Sequence, residues 1–290
     1  MMRDCLRLMR PHHYIKNLFL FLPLFFSGRL AERVLLLRTA VGFVGFCLIC
    51  SVVYIVNDIL DAERDRNHSV KRSRPVASGA VSAKRAIILA SALLALGLAV
   101  QAWVGWANPY AWLYLVAYLL MNLAYSWRLK HVAIVDVSIL AAGFLLRLAY
   151  GASLGGIAVS GWLFLTVLAL SFYLGLGKRR GEILRQEGTR PALAGYTEGF
   201  LDKSKQMCLT LTVAFYSLWA AEGGGMQHGA TRPGGLIWTV PLVIVLCLKY
   251  SLDLENGSEG DPVEVLLGDK LLCVLALLFA AAVFLLIYAF

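Results

Sequence analysis

Asn57, Asp58, Asp61 and Asp65 form the pattern N-D-x-x-D-x-x-x-D, where the apolar run Val41 to Val56 gives way to the polar stretch Ile59 to Pro75. Helical spacing puts positions 58, 61 and 65 on one face, so three carboxylates can converge on a common point. Such a cluster repels itself unless a cation binds. Magnesium suits hard oxygen ligands and commonly bridges one or two carboxylates to substrate phosphates, which makes Asn57, Asp58, Asp61 and Asp65 the candidate metal ligands. Lys71, Arg72 and Arg74 follow directly. Three cations beside three carboxylates fit a metal-bound polyanion whose free phosphate oxygens are clamped by Lys and Arg; the plainer alternative is a basic anchor beside a membrane helix.

A second constellation opens with Lys178-Arg179-Arg180-Gly181-Glu182 and continues to Tyr196, Glu198 and Asp202. Lys178 and Glu182 share a helix face at i, i+4. Arg147 lies inside the apolar run Phe144 to Leu148, where an uncompensated charge is costly, so it should face the protein interior and pair with an anion. Asp136, eleven positions earlier, is too far along a helix to be that anion. Lys16 and Asn17 could reach phosphate, and the segment Tyr125 to His131 offers Tyr125 and Lys130 to a lipid phosphate. His12 and His13 lack a ligand pattern and are assigned no catalytic part. The acidic segment Asp253 to Glu264 reads as a solvated loop.

The elements that position these residues are membrane helices. The chain is 59% apolar, with a mean hydropathy of +0.71. Spans are expected near 14–28, 35–57, 83–106, 110–127, 133–154, 160–177, 206–221, 236–250 and 271–289. This predicts an all-α integral membrane protein, a bundle of about nine transmembrane helices with a cytoplasm-facing polar cap, built as one unit over residues 1–290. Of the 27 Lys and Arg, all but Arg29, Arg33, Arg38, Arg147 and Arg232 fall in the N-terminal tail and alternate loops. The positive-inside rule therefore places the N-terminus and the polar segments 58–82 and 178–205 in the cytoplasm, and topology rather than nucleic-acid binding absorbs most of the +9 charge. The first apolar run carries no small-residue cleavage pattern and is expected to stay as a span. The six cysteines lie mostly in apolar runs without ligand spacing, and Cys47 and Cys50 read as packing residues.

These segments resemble the UbiA-type membrane prenyltransferase superfamily, with its nine helices and its aspartate-rich motif after the second. The nearest resemblance is to the branch that acts as decaprenyl-phosphate phosphoribosyltransferases, carried by Arg10-Pro11 through Lys16-Asn17, Asn57-Asp58 through Arg74-Pro75, Tyr125-Ser126 with Leu129-Lys130-His131, and Lys178-Arg179 with Glu182. Ordinary members carry a second aspartate motif after the sixth helix; Lys178, Arg179 and Glu182 stand there instead. The resemblance implies a magnesium-dependent transfer from phosphoribosyl pyrophosphate to a polyprenyl phosphate. Prenyl transfer to an aromatic acceptor is the alternative, with Glu198 and Asp202 as a substitute acidic arm. An anion transporter fits less well, because the polar residues gather at one membrane face. No helix-dimer motif decides whether the protein is a homo-oligomer.

Overall fold

The computed structural model describes residues 2–67, 71–106, 108–185, 191–225, 235–256 and 261–289, and among them every regular element is a helix. A short α1 (Met2–Met9) precedes tight 3₁₀ turns over Pro11–Phe21, and α2 (Leu22–Phe26) carries Pro23 in its first turn, where a ring that fixes φ is tolerated. The first expected span is therefore 3₁₀ over most of its length and α-helical only at its end. Next come α3 (Arg33–Leu60) and α4 (Ala62–Arg66), then α5 (Ala83–Gly105) and α6 (Pro109–Trp127). The chain continues through α7 (Val135–Gly155), α8 (Gly161–Leu184), α9 (Glu198–Ala221), α10 (Val240–Glu255), α11 (Pro262–Gly268) and α12 (Lys270–Tyr288).

Side-chain caps account for many of these boundaries. Ser82, Asn108, Ser160, Thr197, Asp261 and Asp269 each accept a backbone N–H in the first turn of α5, α6, α8, α9, α11 and α12, and Pro109 and Pro262 occupy first-turn positions where no N–H is needed. Among the described residues, six helical stretches are long and apolar enough to cross a membrane: α3, α5, α7, α8, Gly235–Glu255 and α12. The other three expected spans are helical but fall short of that length or apolarity. α9 begins eight residues before the expected 206 and carries Asp202, Lys203 and Lys205 in its opening turns. Most of the glycine-rich loop 223–235 lies outside the described residues.

α7 is the centre of the bundle. It packs against the Pro11–Phe21 turns, α2, α3, α6 and α8, while α5 lies on α3, α9 on α8, and α12 on α10. The outer helices α5 and α12 leave most of their apolar surface uncovered, as helices facing lipid do. Trp103, Trp106, Trp127 and Trp238 are exposed near helix ends, the placement of an interfacial aromatic belt. One glycine sets the approach that matters for the site. A Cβ on Gly151 of α7 would lie 2.0 Å from the carbonyl oxygen of Leu20, so only glycine lets the opening segment lie against α7 and bring Asn17 beside Arg147.

Candidate active site

Residues from both polar segments line one cavity of about 270 Å³. Its acidic wall is the end of α3 and the start of α4. Asp61 sits between these helices in helical geometry, with its N–H on the Asn57 carbonyl, so the motif follows nearly helical turns. The three carboxylates nonetheless do not share a point. Asp58 is buried, and its Oδ1 accepts from Arg10 Nη2 at 2.5 Å and from Arg74 Nη1 at 3.4 Å. Arg74 also donates to Asp65 Oδ2 at 2.7 Å, while Asp61 Oδ1 takes Lys130 Nζ at 2.5 Å. Asn57, Asp61 and Asp65 line the cavity, whereas Asp58 is outside its lining and meets Arg10 and Arg74, which do line it.

Among the described residues no three His, Cys, Asp or Glu side chains are gathered as a preformed metal cage. The donor set still fits magnesium. It consists of hard carboxylate oxygens, one of which, Oδ2 of Asp58, is buried without a hydrogen-bond partner. Magnesium sites built from one or two carboxylates and completed by substrate phosphates need no all-protein cage.

The opposing wall is cationic. Lys178 of α8 does not pair with Glu182; it donates to Asp261 Oδ2 at 3.0 Å, and Lys16 donates to the same oxygen at 2.9 Å. Glu182 instead accepts from Arg179 Nη1 at 2.7 Å, one turn away, because Arg179 points inward. Arg179 is fully buried, with Nε on Asp136 Oδ2 at 2.5 Å and Nη2 on the Tyr125 hydroxyl at 3.4 Å. Tyr196 completes this network by donating to Asp136 Oδ1 at 2.6 Å. All three guanidinium nitrogens of Arg179 thus have a protein partner.

Arg147 faces the interior as expected, but its partners are neutral. Nε donates to Asn17 Oδ1 at 2.7 Å, Nη1 to the Gly143 carbonyl at 2.9 Å and Nη2 to the Tyr118 hydroxyl at 2.9 Å, with the Tyr118 ring 4.8 Å away. No carboxylate pairs with it among the described residues. Neutral acceptors and aromatic faces orient the charge without cancelling it.

Lys16, Asn57, Lys71, Arg74, Tyr125, Lys130, Arg147, Lys178 and Arg179 all line the cavity. Arg72 does not: it is exposed on the turn Lys71–Ser73, whose neighbours Lys71 and Arg74 turn inward. Glu182 lies behind Arg179, and Asn17 is spent on Arg147. Glu198 is exposed and Asp202 pairs with Arg180 and Lys205, so neither reaches the cavity as a second acidic arm. Cys47 and Cys50 are buried free thiols packed around Asn17 and Tyr118.

Sequence reasoning missed Arg10 and Asp261. Arg10 sits at φ 54°, ψ 58°, a left-handed backbone that carries its guanidinium to Asp58. Asp261 belongs to the segment read as solvated, yet it is buried. Burial would raise its carboxyl, but Lys178 and Lys16 outweigh that effect and hold it well below the usual carboxylate range. Asp261-Pro262 is a legible helix start. Nothing in that signal says which lysines, 83 and 245 positions away, the carboxylate meets.

The sequence profile of the UbiA prenyltransferase family matches residues 19–265. The chain is 34% identical over 294 residues to the decaprenyl-phosphate phosphoribosyltransferase of Corynebacterium glutamicum, covering 98% of this chain and 86% of that one. It is also 34% identical over 282 residues to the protein of the same name from Mycobacterium tuberculosis, covering 94% and 91%. Among solved structures, a UbiA homolog from Archaeoglobus fulgidus bound to GPP and Mg2+ is similar at a TM-score of 0.74, over 98% of this chain and 99% of that one, at 21% identity. That likeness establishes a shared fold.

Proposed function

Because the chain belongs to the UbiA prenyltransferase family, we propose that it transfers the phosphoribosyl group of phosphoribosyl pyrophosphate to a decaprenyl-like polyprenyl phosphate and releases diphosphate. The product is a lipid-linked ribose phosphate for cell-envelope polysaccharide synthesis. The whole chain acts as one catalytic unit in the inner membrane, with its N-terminus and cavity facing the cytoplasm. The two relatives at 34% identity bear the name of this activity. The observation that carries the reading is the charge of the α8 wall: Lys178 lines the cavity where ordinary members place a second aspartate pair, with Lys16 and Arg147 also lining it and Asp261 as the one carboxylate that meets the two lysines. Added positive charge suits a donor that brings a phosphate beyond its diphosphate.

In this reading an anionic oxygen of the polyprenyl phosphate attacks the anomeric carbon of the ribose. The new C–O bond forms as the bond to diphosphate breaks, and its electron pair leaves with the diphosphate. A phosphate monoester is already ionised near neutral pH, so no strong protein base is needed. Asp61 and Asp65, backed by Asn57 and Asp58, would hold magnesium, which neutralises charge developing on the leaving diphosphate. Arg10, Arg74 and Lys130 orient these carboxylates through the ion pairs described above. Lys16, Lys71, Lys178 and Arg147 supply positive charge to substrate phosphates. Ile139, Leu140, Phe144 and Leu174 give the cavity an apolar side on which the lipid can lie.

Purified protein incubated with labelled phosphoribosyl pyrophosphate, polyprenyl phosphate and magnesium should move label into the organic phase. Label that moves only when a prenyl diphosphate and an aromatic acid are supplied would replace this reaction with ordinary prenyl transfer.

A further inference from the structure

On the acidic wall the cations face carboxylates: Arg10 and Arg74 meet Asp58 and Asp65, and Lys130 meets Asp61. The α7–α8 side is arranged differently. Lys16 and Lys178 share one oxygen of one carboxylate, Asp261 Oδ2. Arg147 lies close enough that it and Lys178 both repel Lys16, and it is held by Asn17, the residue after Lys16. Three cations against one carboxylate leave a net charge of +2 on the cavity wall. A phosphate monoester near neutral pH carries about −1.5 to −2. The other oxygen of Asp261 is fixed, since Oδ1 accepts the Val263 N–H at 3.1 Å and caps α11.

We infer that Asp261 is a positioning residue that holds Lys16 and Lys178 together, so that these two and Arg147 form a site for a phosphate monoester. Two ammonium groups brought together from distant parts of the chain repel each other, and desolvation would favour loss of a proton from one of them. A carboxylate shared by both offsets that repulsion. Each ammonium has three donors, and the bond to Asp261 occupies one, leaving the others for phosphate oxygens. The site deepens the transferase reading and rests on it for the source of the ester. Phosphoribosyl pyrophosphate has a monoester at its 5-position and polyprenyl phosphate is itself one; a prenyl diphosphate has none.

The test uses the full chain in detergent as wild type, Asp261→Asn and Asp261→Glu, with ribose 5-phosphate and a short-chain polyprenyl phosphate as separate calorimetric probes. Asp261→Asn should weaken one probe by about tenfold or more, raise KM for the matching substrate and leave kcat within about threefold, with Asp261→Glu recovering most of the affinity. Loss confined to ribose 5-phosphate assigns the site to the donor, and loss confined to the lipid probe assigns it to the acceptor. Equal or tighter binding of both probes by Asp261→Asn, or no binding of either by wild type, overturns the proposal. Should Asp261→Asn not fold, Lys178→Gln leaves the α11 cap in place and must show the same selective loss; unchanged affinity there is equally fatal. Binding is read without turnover. A protein that binds an ester but yields no lipid-linked label refutes the transfer reaction and leaves the site standing.

Discussion

Asp61→Asn separates the chemical role of the acidic wall from its structural one. Asp61 Oδ1 takes the Lys130 ammonium at 2.5 Å, and the two side chains are 21% and 10% exposed. Lys130 is buried and Asp61 largely so, but asparagine keeps an oxygen that can accept from Lys130, so the folded state should lose less than the roughly 3–5 kcal/mol of a broken buried pair. Turnover is another matter. The substitution removes a negative charge and a hard ligand where diphosphate must be neutralised, and losses of preorganised electrostatic stabilisation typically run to about 10²–10³ in rate, or roughly 2.7–4 kcal/mol. The expected result is a protein that still inserts and folds, with some loss of stability, but transfers label at least ~100-fold more slowly, measured at saturating donor over a magnesium titration. Turnover within threefold of wild type across that titration would refute the assignment of Asp61 to the leaving-group site.

Asp136→Ala strips Arg179 of one of its two carboxylates and leaves Tyr196 without its acceptor in a buried network; it should cost roughly 3–5 kcal/mol, read as a lower midpoint in denaturant titrations. Gly151→Ala drives a methyl group into the Leu20 carbonyl, 2.0 Å from the new carbon, and a backbone contact of that kind cannot relax by rotamer change. It should lower thermal stability and, by shifting the segment bearing Lys16 and Asn17, raise KM as well; an unchanged KM would show that the opening segment does not set the cavity. The Asp261 carboxyl is held below its unfolded value, near 3.9, so its bridge to Lys16 and Lys178 stabilises fully above that pH and fades as pH falls towards the depressed folded value. The stability difference between wild type and Asp261→Asn should therefore stay constant from about pH 5 to pH 7 and shrink below about pH 4; a difference that grows on acidification would reverse the sign of the argument.

Much of this protein was readable one segment at a time. Apolar runs of bilayer length mark the helices able to cross a membrane, because a backbone in lipid must satisfy itself within a helix. Residue type and spacing were enough to mark the aspartate motif and the Lys178 and Arg179 cluster as candidates, and the fold brings residues of both to one cavity. Pairing was not readable in the same way. Arg147 had to be interior, but only packing against the opening segment could give it Asn17 and Tyr118 in place of an anion. Lys178 and Glu182 satisfy the i, i+4 rule, yet Glu182 turned to Arg179, and Lys178 to a carboxylate from the connection between α10 and α12. Arg72 and Arg74 look equivalent in the chain, but one faces solvent and the other clasps two aspartates. Helix and span are properties of consecutive residues, whereas an ion pair across the bundle depends on which helices meet, and that is decided by the packing of the whole chain around α7.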